Sequence, residues 1–340
     1  MSRRSAMVRA MALIVAALLA GCTANRELPM TTLAPKSDLA AWIYHLFIEV
    51  TLWDAGILVI VVVAFILAVF FFSTRVGEAA PPSSAASDLG LEVAWTIGPA
   101  LILLMISIPT VRTIFRSQPR IAPEGALHIK VIAHQWWWEF QYEDSGVKTA
   151  NELHLPIGRP IRLDLVSADV IHSFWVPQLG GKRDVVPGQV NELTFMAQVP
   201  GTYPGQCAEF CGDSHANMRF RAMVETPDQF AAWTAEQLKP PLAADQITDP
   251  SAADGAKMFA NSPCVTCHRI EGVSKGYIAP DLSHFGGRTT MAGGIMPNTP
   301  ENLARWITDP QALKPGAEMP ALGLRGQQLN DLVVYLESLK

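Results

Sequence analysis

The sequence predicts a multidomain chain: a two-helix transmembrane hairpin, then an all-β barrel or sandwich, then an all-α domain. Three observations carry this. Two charge-free apolar stretches have membrane-spanning length, the middle region consists of short alternating runs broken by Pro-Gly and Gly-Gly, and the C-terminal region has helical periodicity. At 340 residues there is room for two or three domains. Hydrophobic residues make up 49% of the chain and the mean hydropathy is positive, which is high for a purely soluble protein. With 26 basic and 31 acidic residues the charge is nearly balanced, and nothing suggests a nucleic-acid partner.

The N-terminus comes first. Arg3, Arg4 and Arg9 precede an apolar stretch, Met11 to Ala20, that ends in Leu19-Ala20-Gly21-Cys22. A basic region, a short apolar region and small residues at a cut site describe a secretory signal over residues 1–21. Leu-Ala-Gly-Cys resembles the bacterial lipobox, whose cysteine is lipidated and becomes the mature N-terminus. The alternative is an ordinary signal cut nearby, with Cys22 unmodified.

The hairpin is placed at residues 42–115. Ala55–Phe72 offers 18 residues and Val93–Val111 offers 19, each near the ~20 helical residues that cross hydrocarbon. Buried core helices are the competing reading, and a weak one at this apolarity. Glu78–Gly90, rich in Pro, Ser and Ala, joins the two spans. Arg75 flanks this loop, but Arg112, Arg116 and Arg120 follow the second span, so basic residues alone do not orient the hairpin. An exported N-terminus followed by two crossings puts the rest of the chain outside.

Residues 121–239 read as β. Leu127–Ile132, Ile161–Val166, Glu192–Gln198 and Met218–Val224 are strands by alternation, and Asp228–Leu238 reads as a helix. A linker occupies residues 240–250; Lys239–Pro250 contains Pro240, Pro241 and Pro250. Residues 251–340 are helical at Ser251–Ala260, Pro300–Ile307 and Gln327–Leu339. Leu329, Leu332, Val333, Leu336 and Leu339 mark one buried face of the last helix.

The chemistry lies with the cysteines. The chain has five, Cys22, Cys207, Cys211, Cys264 and Cys267, grouped as one, two and two. Cys207-Ala-Glu-Phe-Cys211-Gly-Asp-Ser-His215-Ala-Asn-Met218, with His172 upstream, gathers thiolates, imidazoles and a thioether, the ligands that suit copper. Two bridging thiolates hold a pair of coppers close enough to share one electron, which keeps reorganisation small. A Cys207–Cys211 disulfide uses the same residues, and so does a zinc site, although a thioether is an unusual zinc ligand. His45, His128, His154 and His284 read as ordinary core or surface histidines. The second group is Cys264-Val-Thr-Cys267-His268, the pattern in which two thiols add to haem vinyl groups and the histidine binds the iron, although C-x-x-C-H also occurs among redox and zinc motifs. Met319-Pro320 lies 51 residues beyond His268 and supplies a sixth ligand, with Met296-Pro297 as its rival. Methionine–histidine ligation raises the iron potential, which suits an electron donor to copper.

Over nearly its whole length the sequence resembles subunit II of the haem-copper cytochrome c oxidases. The family motif C-x-E-x-C-G-x-x-H-x-x-M is met at every fixed position, Asp169-Val-Ile-His172-Ser-Phe matches D-V-x-H-S-F, and Lys182–Gly188 is similar to the K-x-D-x-x-P-G loop. The resemblance implies a cupredoxin-type barrel in which Cys207 and Cys211 bridge the two coppers of CuA. His172 and His215 would each bind one copper, and Met218 and the Glu209 carbonyl would be weak outer ligands. The Glu209 carboxylate would face a magnesium at the boundary with subunit I. His134-Gln135-Trp136-Trp137-Trp138 resembles G-H-Q-W-x-W, with Ala133 in place of glycine, and puts Trp136 at the electron-input position; plain packing against the membrane face is the alternative. Glu92-Val-Ala-Trp95-Thr96-Ile-Gly-Pro99 resembles E-x-x-W-T-x-x-P, whose glutamate stands at the mouth of a proton channel, although such a carboxylate can also be merely solvated. The C-terminal region resembles cytochrome c domains fused to subunit II: Gly255 and Phe259 precede the haem motif, Met319 sits in K-P-G-x-x-M-P, and Pro280 matches the proline whose carbonyl steadies the proximal histidine.

These likenesses imply a respiratory electron-transfer subunit of the bacterial inner membrane, with its copper and cytochrome domains on the periplasmic side. The implied partners are oxidase subunit I, carrying haem a and copper B, subunit III, and a soluble cytochrome c or upstream respiratory-complex donor. A stand-alone membrane electron carrier and an electron-input subunit for nitrogen-oxide reduction are the alternatives; quinol oxidase subunits lack the copper cysteines. Residues 121–239 carry 9 basic and 14 acidic residues and residues 251–340 carry 8 of each, so the cytochrome domain has little need of long-range steering. Ala168 departs from the family, where an acid stands beside Asp169. A flexible 12-residue linker spans about 20 Å and would hold the haem at an effective concentration on the order of millimolar near the copper.

Overall fold

The computed structural model describes residues 28–72, 88–118 and 122–340. The targeting segment, Cys22 and most of the loop joining the two apolar helices lie outside the described residues. Helix α1 runs from Asp38 to Phe72 and α2 from Leu89 to Ser117, capped by the Asp88 carboxylate, which accepts from the backbone amides of Gly90 and Leu91. Both are long and apolar enough to cross a membrane, and they leave their large aliphatic side chains exposed.

The 35 residues of α1 extend about 52 Å at 1.5 Å per residue, well beyond the ~30 Å of hydrocarbon. Its first turn belongs instead to the β domain. Asp38 Oδ1 accepts from the Met196 amide at 2.8 Å, Ser37 Oγ donates to the Leu179 carbonyl at 2.6 Å, and Leu39 is buried in the β core. Hydropathy cannot register such a junction, because its bonds are to residues more than 140 positions away.

The β domain consists of two five-stranded sheets. Its strands are β1 (Leu127–His134), β2 (Trp137–Tyr142), β3 (Lys148–Ala150), β4 (Glu152–Pro156), β5 (Pro160–Ser167), β6 (His172–Trp175), β7 (Arg183–Val185), β8 (Asn191–Met196), β9 (Gly201–Cys207) and β10 (Arg219–Glu225). One sheet has the order β3-β2-β1-β5-β8 and the other β4-β10-β9-β6-β7; β1–β5 and β4–β10 are parallel pairs and the remaining pairs antiparallel. Alternation along β1 and β5 sends every second side chain inward. There they meet Trp138, Phe140, Phe174 and Phe220, with the Phe174 and Phe220 rings stacked at 4.8 Å. This is the cupredoxin-like architecture. Helix α3 (Pro227–Gln237) closes one end, its Trp233 stacked on His154 at 4.1 Å. His154 therefore has the packing role expected of it.

The C-terminal domain has its own core, with no residue in common with that of the β domain. Its main helices are α4 (Pro250–Ala260), α5 (Pro300–Thr308) and α6 (Gly326–Ser338), with a single turn at Cys264–Cys267 and two-residue ladders at Arg269–Ile270/Ser274–Lys275 and Thr290–Met291/Met296–Pro297. α4 and α6 cross at Gly255, where an added Cβ would lie 2.1 Å from the Asp331 carbonyl. One turn on, Phe259 packs against Tyr335 with ring centroids 6.1 Å apart. Neither backbone at the crossing can yield easily. Gly255→Ala should therefore cost about 3 kcal/mol through overpacking, read as a lowered unfolding midpoint of this domain by circular dichroism. An unchanged midpoint would mean that the helices do not approach so closely.

The two domains are not merely tethered. Glu152 Oε1, on a residue only 3% exposed, accepts from the amides and hydroxyls of Thr289 and Thr290 at 2.5–3.1 Å. The Arg219 amide donates to the Gly293 carbonyl at 2.9 Å, Ser214 Oγ donates to the Pro315 carbonyl, and Lys314 Nζ donates to the Trp136 carbonyl at 2.5 Å. A freely diffusing haem domain on a flexible linker is thus replaced by a docked one.

Candidate metal centres

The first site is built where β6, β9 and the β9–β10 loop converge. β9 ends on Cys207, β6 begins on His172, and one 3₁₀ turn, His215–Asn217, returns the chain to Met218 before β10. Cys207 and Cys211 are free and buried, with their sulfurs 3.7 Å apart. His172 Nδ1 lies 3.9 Å from Cys207 Sγ, and His215 Nδ1 lies 3.5 Å from Cys211 Sγ. Met218 Sδ is 3.8 Å from Cys211 Sγ, and the Glu209 carbonyl is 3.2 Å from Cys207 Sγ. All six residues singled out in the sequence meet at one point. The Glu209 side chain is exposed.

The electrostatics of this cluster ask for a cation. The hydrogen bond with Cys211 pulls the Cys207 thiol far below the usual thiol range against the cost of burial, and the same contact, together with burial, pushes Cys211 up. Two adjacent sulfurs cannot both ionise in a buried site unless positive charge joins them. His172 Nε2 is bonded to Asp169 Oδ1 at 2.7 Å, which leaves Nδ1 to offer its lone pair toward the sulfurs. Burial disfavours both charges of that pair, yet their bond holds Asp169 below and His172 above their ordinary values. The donor set fits a pair of coppers: soft sulfurs between two imidazoles, with a thioether and a carbonyl outside.

Asp169, which the sequence showed only as part of a motif, is bonded to the site. Besides His172 it holds the Gln135 amide, at 2.6 Å through Oδ2. β1 and β2 form a hairpin in which His134 pairs with Trp137, so Gln135 and Trp136 are its two-residue tip. The tip lies on the copper ligands: Gln135 Nε2 and Trp136 Nε1 both donate to the Cys211 carbonyl, at 2.7 and 3.0 Å. Trp138, by contrast, is fully buried core. The tryptophan run thus divides between packing and surface.

The second site is a cavity of about 440 Å³ in the C-terminal domain, open on one side to the β domain. Cys264, Cys267, His268 and Met319 line it, together with Trp136, Asn151, Arg288 and Lys314. His268 Nδ1 donates to the Pro280 carbonyl at 2.8 Å, leaving Nε2 as the ligand atom, and burial holds this imidazole below its ordinary pKa, in the neutral form a ligand requires. Met296 is not among the lining residues; it pairs with Met291 in a short ladder. Arg288 stands half-buried in the cavity wall with its Nε inaccessible and unpartnered, which fits the carboxylates that a haem carries. Paired thiols, a neutral imidazole, a methionine in the lining and a half-buried cation together fit a covalently attached haem. Glu92, in the first turn of α2, belongs to neither cluster.

Family models match three consecutive stretches: the transmembrane domain of cytochrome c oxidase subunit II over residues 35–113, its periplasmic domain over 145–225, and cytochrome c over 252–340. The chain is 34% identical over 328 residues to cytochrome c oxidase subunit 2 of Alkalihalophilus pseudofirmus, covering 95% of this chain and 94% of that one. It is 33% identical over 351 residues to the Bacillus subtilis subunit 2, covering 96% of each. Among solved structures, the periplasmic domain of subunit II of cytochrome oxidase from Bradyrhizobium japonicum is 34% identical, with a TM-score of 0.33 over 34% of this chain and 95% of that one. Fold and ligand sets define a membrane-anchored electron-transfer protein with a cupredoxin-like domain and a cytochrome c domain. The chain belongs to the cytochrome c oxidase subunit II family, in the form that carries a C-terminal cytochrome c domain. Membership implies copper in the first site, haem in the second, and association with other subunits of a haem-copper oxidase.

Proposed function

We propose that this chain takes electrons at a c-type haem and hands them through a binuclear CuA centre to the oxygen-reducing subunit I of a respiratory cytochrome c oxidase. The observation that carries this reading is the position of Trp136. Trp136 lines the haem cavity while its indole nitrogen donates to the carbonyl of Cys211 at 3.0 Å. When bound, the haem iron and the copper pair each supply a one-electron couple. Cys264, Cys267, His268 and Met319 would hold the haem, the cysteines through thioether bonds and the other two through the iron. Cys207, Cys211, His172, His215, Met218 and the Glu209 carbonyl would together hold the copper pair. Trp136 keeps water out of the gap between the two sites, and Asp169 fixes both His172 and the hairpin tip.

The destination draws support from the surface beside the copper ligands. Phe210 is 76% exposed and Ile171 47% exposed, and both flank ligand residues. Apolar groups on either side of the ligand residues suit a face that another subunit covers. In the same reading the Glu209 carboxylate would meet a magnesium at that boundary, Glu92 would open a proton channel at the inner membrane edge, and Cys22 would carry a lipid. Both soluble domains, residues 121–239 and 251–340, would then lie on the periplasmic side of the bacterial inner membrane. Subunits I and III would be the partners, and a soluble cytochrome c or an upstream respiratory complex the donor.

Trp136→Phe in the assembled oxidase tests the route, because it keeps an aromatic ring but removes the bond to Cys211. Electron transfer from photoreduced haem c to copper should slow by about tenfold, with both optical spectra intact. A wild-type rate in this variant would remove Trp136 from the route.

A further inference from the structure

The haem-to-copper reading leaves unexplained why a lysine is buried between the two domains. Lys314 is 4% exposed and lines the haem cavity. Its Nζ donates to the Trp136 carbonyl of the copper domain at 2.5 Å and to the Ala292 carbonyl of its own domain at 3.1 Å. Burial pushes this amine down to about 7, against an opposing pull from Cys211. Charged or neutral, a lysine amine carries enough protons for both carbonyls. The bond to Trp136 reaches the backbone of the residue that contacts both redox sites, so movement of the lysine moves that contact.

The seam around Lys314 is built for close approach. Gly316, at φ +83°, faces Trp136 and Asp213 so closely that a Cβ would lie 3.0 Å from each; a Cβ at Gly293 would lie 2.5 Å from Lys314 Nζ itself. Ser214 and Pro315 are bonded beside it, Arg219 and Gly293 a little further along. Elsewhere on the interface, Glu152 gathers four donors from Thr289 and Thr290. One attachment would leave a hinge. Two separate segments of the cytochrome domain, residues 289–293 and 314–315, each held by more than one bond, remove its rotation as well as its translation.

We propose that Lys314 is a positioning residue that locks the haem cavity onto Trp136, so that electrons cross between two fixed domains and not during a tethered search. This rests on the haem-to-copper reading, and its test separates the two. In the assembled oxidase, the rate from photoreduced haem c to copper is measured in buffers of rising glycerol content. The distance distribution between the two oxidised, paramagnetic centres is measured by pulsed electron paramagnetic resonance.

Wild type should give one narrow distance and a rate indifferent to viscosity. Lys314→Met should slow the transfer by about tenfold or more, make it fall with viscosity and broaden the distance distribution, while both optical spectra persist. Thr289→Val, which leaves the cavity lining untouched, should shift the same readouts in the same direction by less, and it carries the test alone if Lys314→Met loses its haem. A narrow distance and a viscosity-independent rate in both variants would overturn the lock, even if the rate were slower. A wild-type chain with a narrow distance but no transfer from haem to copper would overturn the route and leave the lock standing.

Discussion

Replacing Cys207 or Cys211 by serine is expected to abolish the copper centre and with it oxidase turnover, while the haem spectrum stays unchanged. The reasoning starts from the sulfurs. They lie 3.7 Å apart, each within 4 Å of one imidazole nitrogen, so either one lost leaves the other with a half-built site. A serine oxygen is harder, holds its proton more tightly and cannot bridge two soft metals. The loss should exceed the ten- to hundredfold typical of disturbing an outer partner of a metal site, so copper content and turnover should each fall by roughly a hundredfold or more. The haem should survive because the two cores share no residue. Metal analysis with turnover measured on the same preparation decides the matter. Near-normal copper in either variant would show that the thiolates do not bridge. Stoichiometric zinc in the wild-type chain would revive the zinc reading instead.

The ligand sets were legible in the sequence because each is carried by local spacing. Cys207 to Met218 fits one loop and one 3₁₀ turn, and Cys264 to His268 fits one helical turn. The helices were legible from their apolar period, and β1 and β5 from their alternation. What remained hidden depends on long-range pairing. β4 is buried along its whole length and so does not alternate, and β3 and β7 are only three residues long. The aromatic run looked like a single cluster until β1–β2 pairing divided it into a buried Trp138 and a surface tip at Trp136. Docking of the cytochrome domain left no periodic trace at all, since it rests on Lys314, Glu152 and a few close-approach glycines. Read alone, the proline-rich linker suggested free motion, because composition reports what a segment permits and not what the domains beyond it bind.

Removing residues 241–340 is expected to leave the copper centre intact and to cut turnover with the physiological donor sharply. The shortened chain keeps both five-stranded sheets, and α3 still packs its Phe230 and Trp233 on Tyr142. What it loses is an interface, not a core. Glu152 loses its four donors but gains water, so its carboxylate is not left stranded. Trp136 loses the Lys314 bond and the cavity wall, and becomes open to solvent on that side. In the full chain a haem in the C-terminal cavity would stand at the hairpin tip, so no donor concentration would enter that step; after truncation the step would become bimolecular. Even a flexible tether would give a local concentration on the order of millimolar, so with a micromolar donor that step should slow by on the order of a thousandfold or more. High concentrations of a soluble c-type cytochrome should then restore part of the activity to the truncated oxidase and add little to the full one, because only the former exposes Trp136. Copper absorbance, oxygen uptake with the native donor and uptake across a titration of soluble cytochrome test each step separately. Unchanged uptake with the native donor would show that electrons do not pass through the cytochrome domain. Lost copper absorbance would show that the cupredoxin domain depends on its neighbour despite the separate core.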